Sequence, residues 1–277
     1  MSVQEALTYI PTAVVAILAG IVGLAVGSFL NVVIYRVPRA ESIVLPGSRC
    51  PQCKTPIRPW ENIPVLSYIF LNGRCRTCGW PIKPRYPLIE ALGGAIAVVS
   101  VLRFGASWEA LGGMLLGWHL AALGAIDFET RTVPDQIVLP LAIGGLLIGF
   151  LKGGLHGLAT PGITALIALV FFGLIWLVAR FVLRKPEAFG GGDVTLSVGM
   201  ALYMNPVMLV LTMLVSSVLA LVITLIWAYA KSVSNKRLRE TEIPFGTALA
   251  IGGWGVYTFG TPVVNWMLHL AAVLVRG

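Results

Sequence analysis

Residues 11–35 read PTAVVAILAGIVGLAVGSFLNVVIY, an uninterrupted run without a single Asp, Glu, Lys or Arg. A helix needs about 20 apolar residues to cross the hydrocarbon core of a bilayer, so this run is long enough to span one. It is too long for the apolar core of a secretory signal, no basic residue precedes it, and no small-residue cleavage site follows it. We therefore expect residues 1–35 to form a permanent first transmembrane helix.

The rest of the chain is equally apolar. Of its 277 residues, 57% are hydrophobic and 12% are charged, with a mean hydropathy of +0.87, whereas soluble domains carry about 25% charged residues. Breaks at charged and Pro/Gly clusters predict eight spans, near residues 11–35, 86–102, 109–126, 137–151, 161–179, 193–204, 207–230 and 244–270. The predicted fold is an all-α polytopic membrane protein with about eight transmembrane helices in the lipid bilayer.

The positions of the basic residues predict the orientation of these helices. Of the 20 Lys and Arg residues, 17 fall in alternate connections, namely residues 36–85, 127–136, 180–192 and 231–243. Basic residues stay on the cytoplasmic side of a membrane. We therefore expect both termini outside, in the periplasm, and these four loops in the cytosol. The net charge of +8 is then explained by orientation and by attraction to anionic lipid, without nucleic-acid binding.

All four cysteines lie in the long loop, as two C-x2-C pairs, Cys50/Cys53 and Cys75/Cys78, with 21 residues between the pairs. Each pair places two thiolates on one turn, and two such turns close a tetrahedral Zn²⁺ site. Standing disulfides are disfavoured in the cytosol, and duplicated pairs do not resemble a redox dithiol. We predict that residues 36–85 form a cytosolic domain between helices 1 and 2 that is folded by a structural Zn²⁺, and that residues 86–277 form a seven-helix membrane domain.

Four acidic residues lie at or near the ends of predicted spans, where a charge is costly and usually functional. Asp135 follows a proline and precedes an apolar run, as an N-cap does. Glu90 lies about one turn into the second span, where it either packs against a neighbouring helix or contributes to substrate binding. Asp193 follows Gly190–Gly192, which is either a glycine turn with an acidic cap or a place where a substrate strand approaches the backbone closely.

Asp127 has no such structural explanation, because it ends a predicted helix at the end where the helix dipole disfavours a carboxylate. The topology places Asp127 and Asp193 at similar depth on the cytosolic side. Two carboxylates brought together share a proton, so one can activate water while the other protonates a leaving group. His119, His156 and His269 are scattered, and none is next to a plausible nucleophile.

The order of several short blocks resembles the bacterial type IV prepilin peptidases over nearly the whole chain. The blocks are GSFLNVVIYR at 27–36, the paired cysteines, ENIP at 61–64, YPLIE at 86–90, ID at 126–127 with VPD at 133–135, GGGD at 190–193 and IPFG at 243–246. The resemblance implies that Asp127 and Asp193 are the catalytic aspartates of an intramembrane aspartyl protease. Asp135 matches the second acid of the family's first motif.

The resemblance also implies the substrates and a second activity. Such enzymes remove a short basic leader from type IV prepilins and type II secretion pseudopilins. They cut on the cytosolic side of the bacterial inner membrane, after a glycine and before a hydrophobic helix. Members with the cysteine loop then N-methylate the new N-terminus with S-adenosylmethionine, so we expect both activities. Two positions depart from the family pattern, since Thr195 and Thr247 stand where Lys and Pro are usual.

Two other functions fit parts of the sequence. A transporter or channel would use the membrane carboxylates to relay protons or bind cations, with the glycine run breaking a helix, but the halves of the chain show no repeat. A membrane scaffold would use the cysteine loop to bind a cytosolic partner and would need neither aspartate. A flux assay and the response to aspartate substitution distinguish these functions from a protease.

Overall fold

The computed structural model describes residues 11–184, 190–233 and 245–276. Its α-helices outside the cysteine loop are α1 (Thr12–Arg36), α3 (Arg85–Phe104), α4 (Trp108–Thr130), α5 (Asp135–Gly153), α6 (Ala159–Leu177), α7 (Gly191–Ala201), α8 (Pro206–Val233) and α9 (Phe245–Arg276). A five-residue helix, α2 (Leu66–Phe70), lies in the loop between α1 and α3. A π-helical turn, Val178–Val182, extends α6. Each predicted span corresponds to one helix, so the all-helical prediction is confirmed.

Six of the helices in the described ranges are long and apolar enough to cross a membrane. They are Thr12–Arg39, Arg85–Phe104, Trp108–Thr130, Asp135–Gly153, His156–Val182 and Pro206–Ile226. The predicted sixth span corresponds to α7, which has 11 residues. At a rise of about 1.5 Å per residue, α7 is too short to cross a core about 30 Å thick by itself.

By its internal contacts, the chain divides into two compact units, Met1–Ala122 and Leu123–Gly277. The first unit holds α1, the cysteine loop, α3 and most of α4. The second unit holds the end of α4 and all later helices. The division at residues 35 and 85 expected from the sequence stays a prediction.

In the first unit, α1 and α3 pack closely in antiparallel directions through glycines. A Cβ atom at Gly23 would overlap the Gly93 carbonyl oxygen, and one at Gly27 would lie 2.7 Å from the Glu90 Cα atom. The Asn31 amide, one turn further along α1, donates to the Tyr86 carbonyl at 3.0 Å. Small residues permit such close backbone approach between membrane helices. The two ends of the cysteine loop therefore lie side by side.

Replacing Gly93 with Val is expected to lower the free energy of unfolding by about 1–3 kcal/mol, because the new side chain would overlap the backbone of α1. Thermal unfolding of the purified protein, followed by circular dichroism, measures the loss. Gly173→Val is the matched control, since a Cβ atom at this helical glycine meets no atom within 4 Å. An equal loss in both variants would contradict the proposed backbone contact.

In the second unit, the short helix α7 packs among longer ones. Its Val194 joins a core with Phe172 of α6 and Leu209 of α8. Just beyond α7, the Tyr203 hydroxyl donates to the Leu141 carbonyl of α5 at 3.0 Å. These contacts hold the glycine-rich start of α7, and with it Asp193, in a fixed position.

Candidate functional site

Asp127 lies in the last turn of α4, which ends at Thr130, and the residue is buried with 6% exposed. The backbone N–H of Thr247 donates to Oδ2 of Asp127 at 2.7 Å, and the Thr247 hydroxyl lies 3.0 Å from the same oxygen. The first turn of α9 therefore fixes the position of the Asp127 carboxyl group. Neighbouring Gly246 makes this possible, because a Cβ atom there would lie 2.9 Å from Asp127 Cγ.

The Thr247 hydroxyl has a second acceptor, the Gly124 carbonyl of α4, at 2.9 Å. It has one proton, so it can donate either to this carbonyl or to the Asp127 carboxylate. When Asp127 is protonated, the hydroxyl can donate to Gly124 and accept a hydrogen bond from the carboxyl group. Both protonation states of Asp127 are therefore compatible with the same positions of the atoms.

Asp193 lies in the first turn of α7, whose N-cap is Gly190. Its backbone N–H donates to the Gly190 carbonyl at 3.1 Å, and the Ser197 hydroxyl donates to the Asp193 carbonyl at 2.7 Å. Of the glycines before it, Gly192 is tightly placed, since a Cβ atom there would lie 2.8 Å from Val133 Cβ. Gly191 is exposed beside the Trp176 indole. The exposed, side-chain-free start of α7 leaves room for a ligand backbone near Asp193.

The structure brings the two predicted catalytic carboxyl groups together within the second unit. The carboxylates of Asp127 and Asp193 are near enough for their charges to interact. Like charges in a partly buried site favour a state in which the pair holds one proton. Such a pair can accept a proton from water at one group and donate a proton at the other.

Asp135 is the first residue of α5, and Pro134 occupies the N-cap position. The expectation that Asp135 caps this helix is therefore wrong by one residue, although a carboxylate in the first turn still interacts favourably with the helix dipole. Asp135 is exposed and lies at a groove of about 610 Å³ that also includes Val194 and Thr195 of α7. The groove walls are otherwise mostly apolar side chains, including Val138. It offers an apolar surface at Val194 and Thr195, the two residues that follow Asp193.

Glu90 lies in the first unit, where its Oε2 accepts a hydrogen bond from the Val65 backbone N–H at 2.7 Å. Val65 has φ of 62°, a conformation that β-branched residues rarely adopt. This hydrogen bond ties the start of α2 to the membrane helix α3. The hydrogen bond to Val65 is consistent with the packing role considered for Glu90. Its role in substrate binding stays a prediction.

The two cysteine turns have the same backbone design. In the first, the Lys54 N–H donates to the Cys50 carbonyl at 3.0 Å, and in the second the Gly79 N–H donates to the Cys75 carbonyl at 2.9 Å. Lys54 and Gly79 both have positive φ, 60° and 72°. The isolated β-bridges Arg49↔Pro56 and Arg74↔Pro81 close the two turns. The sequence indicated this conformation at Gly79 but not at Lys54.

The cysteine sulfurs fit a tetrahedral metal ion. All four lie within 4.8 Å of one another, and the Cys50/Cys78 and Cys53/Cys75 distances are 3.8 and 3.9 Å. Zn–S bonds of about 2.3 Å place the sulfurs of a regular tetrahedron about 3.8 Å apart. The described cysteines thus form one cluster that can hold a metal ion such as zinc.

The pKa values of the thiols also favour a cation. Hydrogen bonds to the side chain and backbone of Thr55 lower the pKa of Cys53 to about 6. Although a hydrogen bond to the Trp80 backbone favours the Cys78 thiolate, desolvation and the neighbouring thiols raise the pKa of Cys78 to about 12. The neighbouring thiols Cys53 and Cys78 therefore differ in how readily they ionise. A bound cation would stabilise the thiolate form of each cysteine that it contacts.

Sequence reasoning missed two residues of the aspartate site. Gly246 was noticed only as part of the IPFG block, and Thr247 only as a departure from a family pattern. The contact of Thr247 with Asp127 links positions 120 residues apart in the chain. Gly246 is the residue before Thr247, so no local signal could reveal either contact. The Ile243 and Pro244 positions of that block lie outside the described residues.

Comparisons with known proteins agree with the resemblance seen in the motifs. The model of the bacterial peptidase A24 N-terminal domain matches residues 21–104, and that of the type IV leader peptidase family matches residues 114–225. No solved structure matches the chain.

Several curated relatives cover most of the chain. A prepilin leader peptidase/N-methyltransferase of Neisseria gonorrhoeae is 35% identical over 280 residues, covering 91% of this chain and 94% of the relative. Proteins of the same description from Aeromonas hydrophila and Pseudomonas putida are 35% and 37% identical, covering 88% and 89% of this chain and 91% of each relative. The family predicted from the sequence is confirmed.

Proposed function

This chain belongs to the type IV leader peptidase family, and we propose that it removes the leader from prepilins and pseudopilins with Asp127 and Asp193 as its catalytic pair. The observation that carries this assignment is the approach of the two carboxylates, one fixed by Thr247 and the other beside a run of glycines.

The reaction follows from one shared proton. The ionised carboxylate takes a proton from water, whose oxygen attacks the scissile carbonyl, while the protonated partner gives its proton to the carbonyl oxygen. The tetrahedral intermediate then breaks its C–N bond: the carboxyl group that took the proton from water gives it to the leaving amine, and its partner takes a proton back from a hydroxyl of the intermediate. The protein forms no covalent bond to the leader. Gly190–Gly192 and the groove beside Asp193 accept the substrate chain, and Asp135 contributes a charge at the groove mouth.

We propose N-methylation as the second activity, with S-adenosylmethionine as the methyl donor. The new N-terminal amine attacks the methyl carbon, the C–S bond breaks, S-adenosylhomocysteine leaves, and the amine loses a proton. The relatives that cover this chain are named for both activities.

Zn²⁺ is the metal ion we propose for Cys50, Cys53, Cys75 and Cys78. When bound, it supplies structural stabilisation, because four protein ligands leave no coordination position for a reacting water. The chain is a membrane protein of the bacterial inner membrane. Its basic connections support a topology with both termini outside and the aspartates facing the cytosol.

The experiment that tests this function uses the purified chain in liposomes with a prepilin and S-adenosylmethionine. We expect mass spectrometry to show loss of the leader and a gain of one methyl group on the mature product. A well-folded protein that leaves several prepilins intact, or that conducts ions in a vesicle flux assay, would contradict the proposal.

Replacing Thr247 with Val is expected to slow leader removal about 10- to 100-fold, because Asp127 loses one hydrogen bond to a charged acceptor. Val keeps the shape and the backbone N–H of Thr247. Thr247→Ser restores the hydroxyl group and should recover most of the rate. Initial cleavage rates measure the effect, and a Val variant with the wild-type rate would show that the hydroxyl does not position Asp127.

A further inference from the structure

The short helix α2 presents an apolar face to its surroundings. Leu66, Ile69 and Phe70 are 50%, 60% and 80% exposed. Residues three and four positions apart share one face of a helix, so these three side chains form a single apolar surface. Ser67, between them in the sequence, is buried. In water such a surface is unfavourable, which indicates that something apolar covers it.

The depth of α2 relative to the membrane identifies what covers it. Glu90 is five residues beyond Arg85, where α3 begins, a distance of about 8 Å along the helix axis. The polar layer on each side of the hydrocarbon core is about 5–8 Å thick. If Arg85 lies among the headgroups, the Glu90 carboxylate lies near the boundary between headgroups and hydrocarbon.

The hydrogen bond from Val65 N–H to Glu90 then fixes the depth of α2. Val65 is the N-cap of α2, so the helix starts at the boundary. Its five residues extend over about 8 Å. Every residue of α2 therefore lies within about 8 Å of the boundary between headgroups and hydrocarbon, whichever direction the helix takes.

The charge of the surrounding loop also favours a lipid membrane as the partner of α2. Residues 36–85 contain nine basic and two acidic residues, a net charge of +7. Among them, the Arg58 guanidinium lies 5.6 Å from the centre of the Trp60 ring, which is 63% exposed. Exposed Trp beside basic residues is typical of segments at the membrane interface, and Lys and Arg are attracted to anionic lipid.

We infer that Leu66, Ile69 and Phe70 insert into the bilayer interface on the side where the cysteine loop lies, while the basic residues of the loop bind anionic headgroups around them. The cysteine loop is then a domain at the membrane surface with two attachments. Glu90 anchors it to α3, and the apolar face of α2 anchors it to lipid. This surface belongs to the first unit, and the inference does not depend on the proposed reaction.

Photocrosslinking of the full chain in liposomes tests the inference. Phe70 is replaced with the photoreactive residue benzoyl-phenylalanine, and lipid adducts are measured by mass spectrometry after irradiation. The matched control carries the same residue at Tyr68, on the same helix, whose ring packs over the turn at Gly73. The liposomes contain phosphatidylcholine alone or mixed with phosphatidylglycerol.

We expect lipid adducts at position 70 and few or none at position 68, with a higher yield at position 70 when phosphatidylglycerol is present. Absence of lipid adducts at position 70, adducts to another protein segment or a second copy, or equal lipid yields at both positions would overturn insertion. Equal yields in the two lipid mixtures would overturn the role of the basic residues. Because Phe70 is largely exposed, the substitution should not disturb folding.

Discussion

The Asp127→Asn enzyme is expected to remove leaders at least about 10²- to 10⁴-fold more slowly than the wild type, the usual loss when a general acid or base is removed. Asn has the size of Asp, and its amide oxygen can still accept the Thr247 hydrogen bonds, so the packing at Gly246 is preserved. It cannot take or return a proton. Initial rates with saturating prepilin measure the loss.

The matched control for this variant is Glu129→Gln. Glu129 is an exposed carboxylate in the same last turn of α4, two residues beyond Asp127. Its neutralisation should leave the cleavage rate near that of the wild type. A comparable loss at both positions would indicate a general effect of charge at the end of α4 and would remove the specific role assigned to Asp127.

Removal of the metal ion is expected to unfold the cysteine loop while the membrane helices stay inserted. Structural Zn²⁺ contributes about 10–16 kcal/mol of apparent binding free energy in small zinc domains, which exceeds what a loop of this size gains from its core. In Cys50→Ser, where the replaced side chain is buried with 6% exposed, we expect loss of bound zinc and rapid proteolysis of residues 36–85.

The control for the metal site is Thr77→Ala, because Thr77 is an exposed residue within the second cysteine turn. This variant should bind one zinc ion per chain and resist protease like the wild type. Metal analysis of the purified proteins, with limited proteolysis before and after chelation, measures both properties. Full zinc content in Cys50→Ser, or unchanged protease resistance after chelation, would contradict a structural metal site built from the four cysteines.

The helices were predictable because their apolar runs are long and are separated by charged or glycine-rich breaks. The predicted 86–102 and observed Arg85–Phe104 differ by one or two residues at each end. The end of α4 differed more, since the helix continues past Asp127 to Thr130. The residue at which a helix ends depends on capping contacts, which hydropathy does not indicate. The short α2 was not predicted, because five residues carry too little periodic pattern.

The candidate site was predictable where a residue carries its own chemical signal. Two C-x2-C pairs indicate one metal cluster, and an aspartate after three glycines stands out in a membrane helix. The contacts that position the aspartates were not predictable, because they join distant segments. Thr247 meets Asp127 across 120 residues, and Glu90 meets the backbone of Val65, whose side chain gives no indication of the contact.

The most direct test of the central claim is intact-mass analysis of one prepilin incubated separately with wild type, Asp127→Asn and Asp193→Asn in liposomes with S-adenosylmethionine. The account predicts that wild type yields the mature pilin carrying one added methyl group, whereas both variants, inserted and folded, leave the precursor at its original mass. Mature pilin produced at the wild-type rate by either variant would contradict the claim that these two carboxylates perform the cleavage.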